Sequence, residues 1–228
     1  MKRKSGALTL FGVLVAATLG ATTARDTDLA GPAPRAGTIA GTVTLEPPPP
    51  PRRTADRYGG RGASIVQRLP AVVYLKGAVA GPAPAGYVAN PEMTQRDTAF
   101  APSAVALRVG GTVSFPNHDP FFHNVFSYSS AKNLDLGRYP EGESKEVVFD
   151  EPGVVEVFCE VHDFMRGAVV VTENPYHAVV ADDGTFAIEG VPAGEYTLVA
   201  WHADHREVER SVTVTDGGVV RLEVELRR

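Results

Sequence analysis

The sequence predicts an all-β fold, on three observations. Eighteen Pro and 23 Gly are spread through 228 residues, so turns are frequent. Short apolar runs alternate with polar residues at period two, as half-buried strands do. No segment sustains the 3.6-residue apolar period of an amphipathic helix, and no heptad or internal repeat is present. The length allows one or two domains. An apolar fraction of 43 % is that of an ordinary foldable chain.

Taken in order, the first segment is a targeting signal. Lys2, Arg3 and Lys4 precede the apolar run ALTLFGVLVAATLG, and Thr22 and Ala24 stand at the −3 and −1 positions of a cleavage site. A secretory signal is therefore expected over residues 1–24, with an apolar run too short for a comfortable membrane span. Export to a periplasm or cell envelope follows, with no membrane span left after cleavage. Loss of the three cations takes the formal charge from −5 to −8, which argues against a nucleic-acid partner. Residues 25–36 have the composition of a linker. Thr38–Leu45 puts Ile39, Val43 and Leu45 on one face of a strand. Pro47–Pro51 lies in an Arg- and Gly-rich loop over residues 46–70, and Ala71–Lys76 is a second strand. A Pro/Gly/Ala connection follows over 78–86.

Between 87 and 172, strands are expected at Val105–Val109, Val113–Phe115, Val147–Phe149, Val154–Phe158 and Ala168–Val171, a rhythm that suits a sandwich or barrel. From 174 to 228 the pattern changes. Asp182-Asp183-Gly184 predicts a hairpin between His177–Ala181 and Thr185–Ile188. Gly190–Gly194 is a tight turn, and strands follow at Glu195–Trp201, Val208–Val214 and Val220–Leu226. This part is expected to be a small antiparallel module with one buried face.

The chain has one cysteine, so no internal disulfide can form. A lone thiol in an oxidising compartment must be buried or ligated. Cys159 opens the segment Cys159-Glu-Val-His162-Asp-Phe-Met165, which lies between two expected strands. His123 stands 36 residues earlier, also after a strand. One thiolate, two imidazoles and a thioether at one point make a copper donor set. Sulfur favours Cu(I), imidazole suits both oxidation states, and zinc sites rarely use a thioether. Singly, such a Cys or Met is ordinary core filling; their coincidence at matched strand ends carries the expectation. His118 is expected to be a surface residue outside the set. His202 and His205 are expected to be exposed on a polar loop, because two imidazoles alone make a poor metal site.

Residues 87–172 resemble the cupredoxins. The resemblance rests on Phe100-Ala-Pro102, Gly110-Gly-Thr-Val113, Phe115-Pro-Asn117, His123-Asn124-Val125, Pro152-Gly153 and the Cys159–Met165 loop, which is similar to the short loop of the amicyanins. It implies a Greek-key β-sandwich holding one type 1 (blue) copper, with His123, Cys159 and His162 equatorial and Met165 axial. It also implies that Asn124 ties the strand of the first His to the Cys loop. Residues 182–198, with Gly37–Leu45 and Ala71–Leu75, resemble the carboxypeptidase regulatory-like, transthyretin-type β-sandwich. The expected organisation is discontinuous: 37–80 and 174–228 form the regulatory-like sandwich, and the cupredoxin is inserted between its second and third strands. The whole resembles bacterial exported proteins of the methylamine-utilisation type, which by itself assigns no role in that metabolism.

Electron transfer is the function the resemblance implies, with an unidentified redox protein as partner. His162 would present its imidazole edge, and Pro120, Phe121, Phe122 and Phe164 would form an apolar docking patch of the size weak redox encounters use. A copper carrier or store, or an envelope binding module with a structural copper, stays open. Multicopper enzymes use His-x-His pairs that this chain lacks, so no enzyme activity is expected.

Overall fold

Residues 35–48 and 67–228 are described by a computed structural model, and every regular element among them is a strand. The expected signal segment 1–24, the expected linker up to residue 34 and residues 49–66 of the expected loop lie outside the described residues. Among the described residues no helix is long and apolar enough to cross a membrane.

Two sandwiches share the chain. In the first, one sheet has the order β5 (Ala104–Arg108), β11 (Arg166–Thr172), β10 (Gly153–Phe158), β7 (Phe126–Ser129) and β8 (Lys132–Asp135). Two ribbons complete it: β3 (Thr94–Arg96) with β4 (Ala99–Ala101), and β6 (Thr112–Pro116) with β9 (Ser144–Val148). Val105, Leu107, Val113, Phe115, Val155, Val157 and Val169 join in one buried cluster. β5 and β11 pair in parallel, and both read as nearly unbroken apolar runs because both of their faces are covered.

The second sandwich has one sheet of β13 (Thr185–Val191), β1 (Gly37–Leu45) and β16 (Val219–Leu226), in that order. The other runs β12 (His177–Val179), β2 (Val72–Leu75), β14 (Gly194–Trp201), β15 (Val208–Val214). Ile39, Val73, Leu75, Ile188, Leu198, Val214 and Val224 meet in its core. Period-two alternation then explains how the sandwiches join. Val73 and Leu75 face their own core, while Val72 packs with Ala104, Ala106, Ala168 and Val170 of the first sandwich. The three alanines allow the two sheets to approach closely.

Three expectations need correction. The Asp182–Gly184 turn forms, with Ala181 N donating to Thr185 O at 2.9 Å, but it does not close a hairpin. β12 pairs with β2 and β13 with β1, so the turn is a corner that carries the chain from one sheet to the other. The second module is not wholly antiparallel either, because β1 and β16 pair in parallel from Thr38↔Val219 to Leu45↔Leu226. Gly41 permits that pairing: a Cβ there would lie 1.9 Å from Leu222 O. Finally β3, β4, β7 and β8 are additional strands, each only three or four residues long, so they carry little alternation signal.

His177 sits where the modules meet, its ring centroid 5.5 Å from that of Tyr87. It borders a cavity of ≈ 470 Å³ between them. Its Nε2 is buried without a partner among the described residues, and burial pushes its pKa down from 6.5 to about 4. The folded chain thus resists a proton that the unfolded chain accepts. The His177 contribution to stability should be flat above pH 6.5 and fall by up to about 3 kcal/mol between 6.5 and about 4. Urea unfolding across this range measures it. His177→Gln should remove that part of the slope, and equal slopes in both proteins would refute it.

Candidate metal centre

Local structure brings the donors together. β10 ends at Phe158, whose backbone pairs with Arg166 and with Phe126. The loop 159–165 therefore starts and finishes at one end of the sheet, and Met165 N donates to His162 O at 3.0 Å inside it. Cys159 is 2 % exposed and Met165 is fully buried, both in the apolar core of the first sandwich. The His123 backbone is held between β6 and β7 by paired hydrogen bonds with Tyr139, 3.3 and 2.9 Å long. Its side chain is completely buried.

His123 Nδ1 lies 3.6 Å from Cys159 Sγ and 3.1 Å from His162 Nδ1. The donor atoms of all three residues fall within 4.8 Å of one another. His162 is half-buried, with ring centroids 5.4 Å from Phe121 and 5.8 Å from Phe164. Burial, and then the neighbouring His123, hold the His162 pKa below its usual value, which favours the neutral donor form. One thiol and two imidazoles, with no carboxylate among them, suit copper and not the oxygen-seeking Ca²⁺ or Mg²⁺.

Asp119 is the residue that sequence reasoning missed. It is 4 % exposed, and its Oδ2 lies 2.8 Å from His123 Nε2. It also accepts from Asp97 N at 2.7 Å and from Thr98 N at 2.9 Å. The His123 Nε2 proton therefore points at a carboxylate, and Nδ1 keeps its lone pair for the centre. Burial pushes the Asp119 carboxyl up, but the hydrogen bonds from Thr98, His123 and Asp97 outweigh it and hold the pKa below the usual carboxylate range. Asn117 supports this arrangement, its Oδ1 accepting from Asp119 N at 2.9 Å and its Nδ2 donating to Phe121 O at 2.8 Å. The only sequence hint was an Asp four residues before His123, and Asp119-Pro120 reads first as a turn.

Asn124 is 1 % exposed, and its Oδ1 accepts from Glu160 N at 2.7 Å, linking the residue after His123 to the residue after Cys159. His118 is exposed. Around His162, Phe121 and Phe122 are 41 % and 54 % exposed, Pro120 is exposed and Phe164 is half-buried. Val161, not singled out from sequence, is 41 % exposed and joins Phe121, Phe122, Arg138 and His162 around a hollow of ≈ 410 Å³. The expectation of two exposed histidines at 202 and 205 is wrong. His202 is 5 % exposed because its Nε2 is 2.9 Å from Leu69 O, and His205 is half-buried.

Comparison with known proteins finds a family match over part of each sandwich. Residues 88–172 match the profile of copper binding proteins of the plastocyanin/azurin family, and residues 162–227 match the carboxypeptidase regulatory-like domain. A plastocyanin from Scenedesmus fuscus is 34 % identical over 83 residues, covering 32 % of this chain and 85 % of that protein. Among solved structures, a purple cupredoxin from Nitrosopumilus maritimus is 24 % identical, covering 36 % of this chain and 99 % of its own, with a TM-score of 0.33. A reduced amicyanin variant is 25 % identical, covering 40 % and 91 %, with a TM-score of 0.34. Copper is the cofactor, and through residues 88–172 the chain belongs to the plastocyanin/azurin family of copper-binding proteins.

Proposed function

We propose that the protein is an exported one-electron carrier, working in the periplasm or cell envelope. A type 1 copper would be held by His123, Cys159 and His162, with Met165 as the axial donor. The observation that carries this reading is the meeting of one thiol and two imidazole nitrogens within 4.8 Å beneath a half-exposed His162 ring. Copper supplies a reversible one-electron couple when bound. The protein supplies rigidity. Asp119 and the Tyr139 backbone hold His123, and Asn124 ties the segment after His123 to the Cys159 loop. A site held from several sides reorganises little between redox states.

Pro120, Phe121, Phe122 and Phe164, with Val161, form the apolar rim on which a redox protein would dock. A small patch of this kind suits a brief encounter. No enzymatic role is assigned. Residues 37–80 and 174–228 form one regulatory-like sandwich in this reading, with the cupredoxin of 87–172 inserted between β2 and β12. The pairing of β1 with β13 and β16, and of β2 with β12 and β14, supports it.

Copper(II) loading of the intact protein should give an intense blue thiolate-to-copper absorption. Cys159→Ser should abolish the band, and His118→Ala should leave it unchanged. A colourless copper complex of the intact protein overturns the reading. A blue protein that does not cycle reversibly at an electrode would be a copper carrier or store instead.

A further inference from the structure

In the loop after β14, outside the copper centre, His202 Nδ1 and His205 Nδ1 lie 2.9 Å apart. Each ring's other nitrogen faces a backbone carbonyl: His202 Nε2 is 2.9 Å from Leu69 O, and His205 Nε2 is 2.9 Å from Glu46 O. A carbonyl only accepts, so both Nε2 atoms carry the proton, and the neutral rings are left with bare lone pairs on both Nδ1 atoms. Asp204 N lies 3.1 Å from His202 Nδ1, as an amide would beside an unprotonated nitrogen. Two acceptors this close need a cation or a shared proton between them.

The ring positions separate those two cases. A straight N–H···N bond along both ring axes would hold the centroids about 5.2 Å apart. They are 4.5 Å apart with the planes at 85°, so the contact departs from that straight bond. A cation about 2.05 Å from both nitrogens would subtend about 90° and set the centroids about 4.5 Å apart. The same construction applied to His123 and His162 gives about 4.8 Å, and their centroids are 4.8 Å apart. The second pair therefore shows the same match between nitrogen and centroid spacing as the first. Its carbonyl anchors on Nε2 are the supports that metal-ligating histidines generally carry.

The surroundings narrow the choice of cation. The donors are neutral, and the nearby Asp204 is engaged with Arg166 at 3.0 Å, so an ion that demands carboxylates is poorly served. A cavity of ≈ 330 Å³ lined by Glu46, His202, Asp204, His205 and Arg228 gives water access. We infer that His202 and His205 form a second, two-imidazole site for a divalent transition cation, with Cu²⁺ the strongest binder and water completing its coordination. Binding would displace the Asp204 amide contact. It would also clamp the end of β1 at Glu46 to the segment leading into β2 at Leu69.

The test is Cu²⁺ titration of the full chain, in a His118→Ala background, followed by optical and electron-paramagnetic spectroscopy. Two ions per chain are expected, one blue and one nearly colourless with nitrogen hyperfine structure. His205→Ala should bind one ion and stay blue. A single blue ion in the parent protein, with no colourless one, would mean a shared proton only and overturns the site, as does a colourless ion that persists in His205→Ala. Loss of the blue signal with the second ion retained would sink the copper-centre reading and leave this one standing. If His205→Ala does not fold, ring-nitrogen magnetic resonance of the intact chain decides. The Nδ1 signals of His202 and His205 should move when Zn²⁺ is added beyond one equivalent, and unmoved signals refute the site.

Discussion

Asp119→Ala is expected to weaken copper binding roughly 10–100-fold, the usual cost of removing a residue that orients a metal-ligating histidine. It should also lower unfolding free energy by about 3 kcal/mol, because three donors lose one acceptor. The donors are Asp97 N, Thr98 N and His123 Nε2. Asp97 and Thr98 both have positive φ, 54° and 55°, so the turn they form is not one the backbone adopts freely. Without the carboxylate, that turn and the His123 ring lose a common anchor. Asp119→Asn separates the two effects. An amide oxygen still accepts, so most of the stability should return, while loss of the negative charge behind His123 should raise the reduction potential. Chelator competition, denaturant unfolding and voltammetry read the three quantities. Unchanged copper affinity in Asp119→Ala would show that the Tyr139 backbone bonds position His123 unaided.

The candidate donors stood out in the sequence because their chemistry is scarce. There is a single cysteine, and its His and Met neighbours stand at C-x2-H-x2-M between two apolar strands. Asp119 was not legible, since its role depends on a left-handed turn 22 residues away that no local signal announces. The strand pattern told where β1, β10, β14 and β16 lie, but not which strands pair. Residues 38–45 and 219–226 come from opposite ends of the chain, and nothing in either run distinguishes a parallel partner from an antiparallel one. The Asp182–Gly184 turn shows the same limit. Turn chemistry fixes a reversal of direction but not whether the next strand stays in its sheet. His202 looked exposed because the carbonyl that buries it belongs to Leu69, 133 residues earlier. Polar, short strands such as β8 carry too few apolar residues for any period to register.

Asn174→Ala should be the most destabilising single change at the junction, at about 4 kcal/mol, from three buried or part-buried groups left unpaired. Asn174 is 1 % exposed and lies where β11 of the cupredoxin passes into β12 of the second sandwich. Its Nδ2 donates to Leu75 O at 2.7 Å and to Gly77 O at 2.6 Å, and its Oδ1 accepts from Tyr176 N at 2.9 Å. Thr172 Oγ1 donates to Asn174 O at 2.7 Å and contacts Leu107 O at 3.1 Å, which ties β5 to the same point. One side chain thus satisfies the end of β2 and the start of the return strand, and alanine can satisfy neither. Asn174→Asp tests the direction of those bonds, since a carboxylate keeps the Tyr176 contact but faces two carbonyls with no proton to give. It should therefore be at least as damaging as alanine above its pKa. Denaturant unfolding followed by both far-ultraviolet dichroism and the blue absorption would show whether the loss spreads. If the copper centre melts with the second sandwich, the junction transmits cooperativity. If the blue band survives at denaturant concentrations that unfold the rest, the two sandwiches hold themselves up independently, and Asn174 secures only one of them.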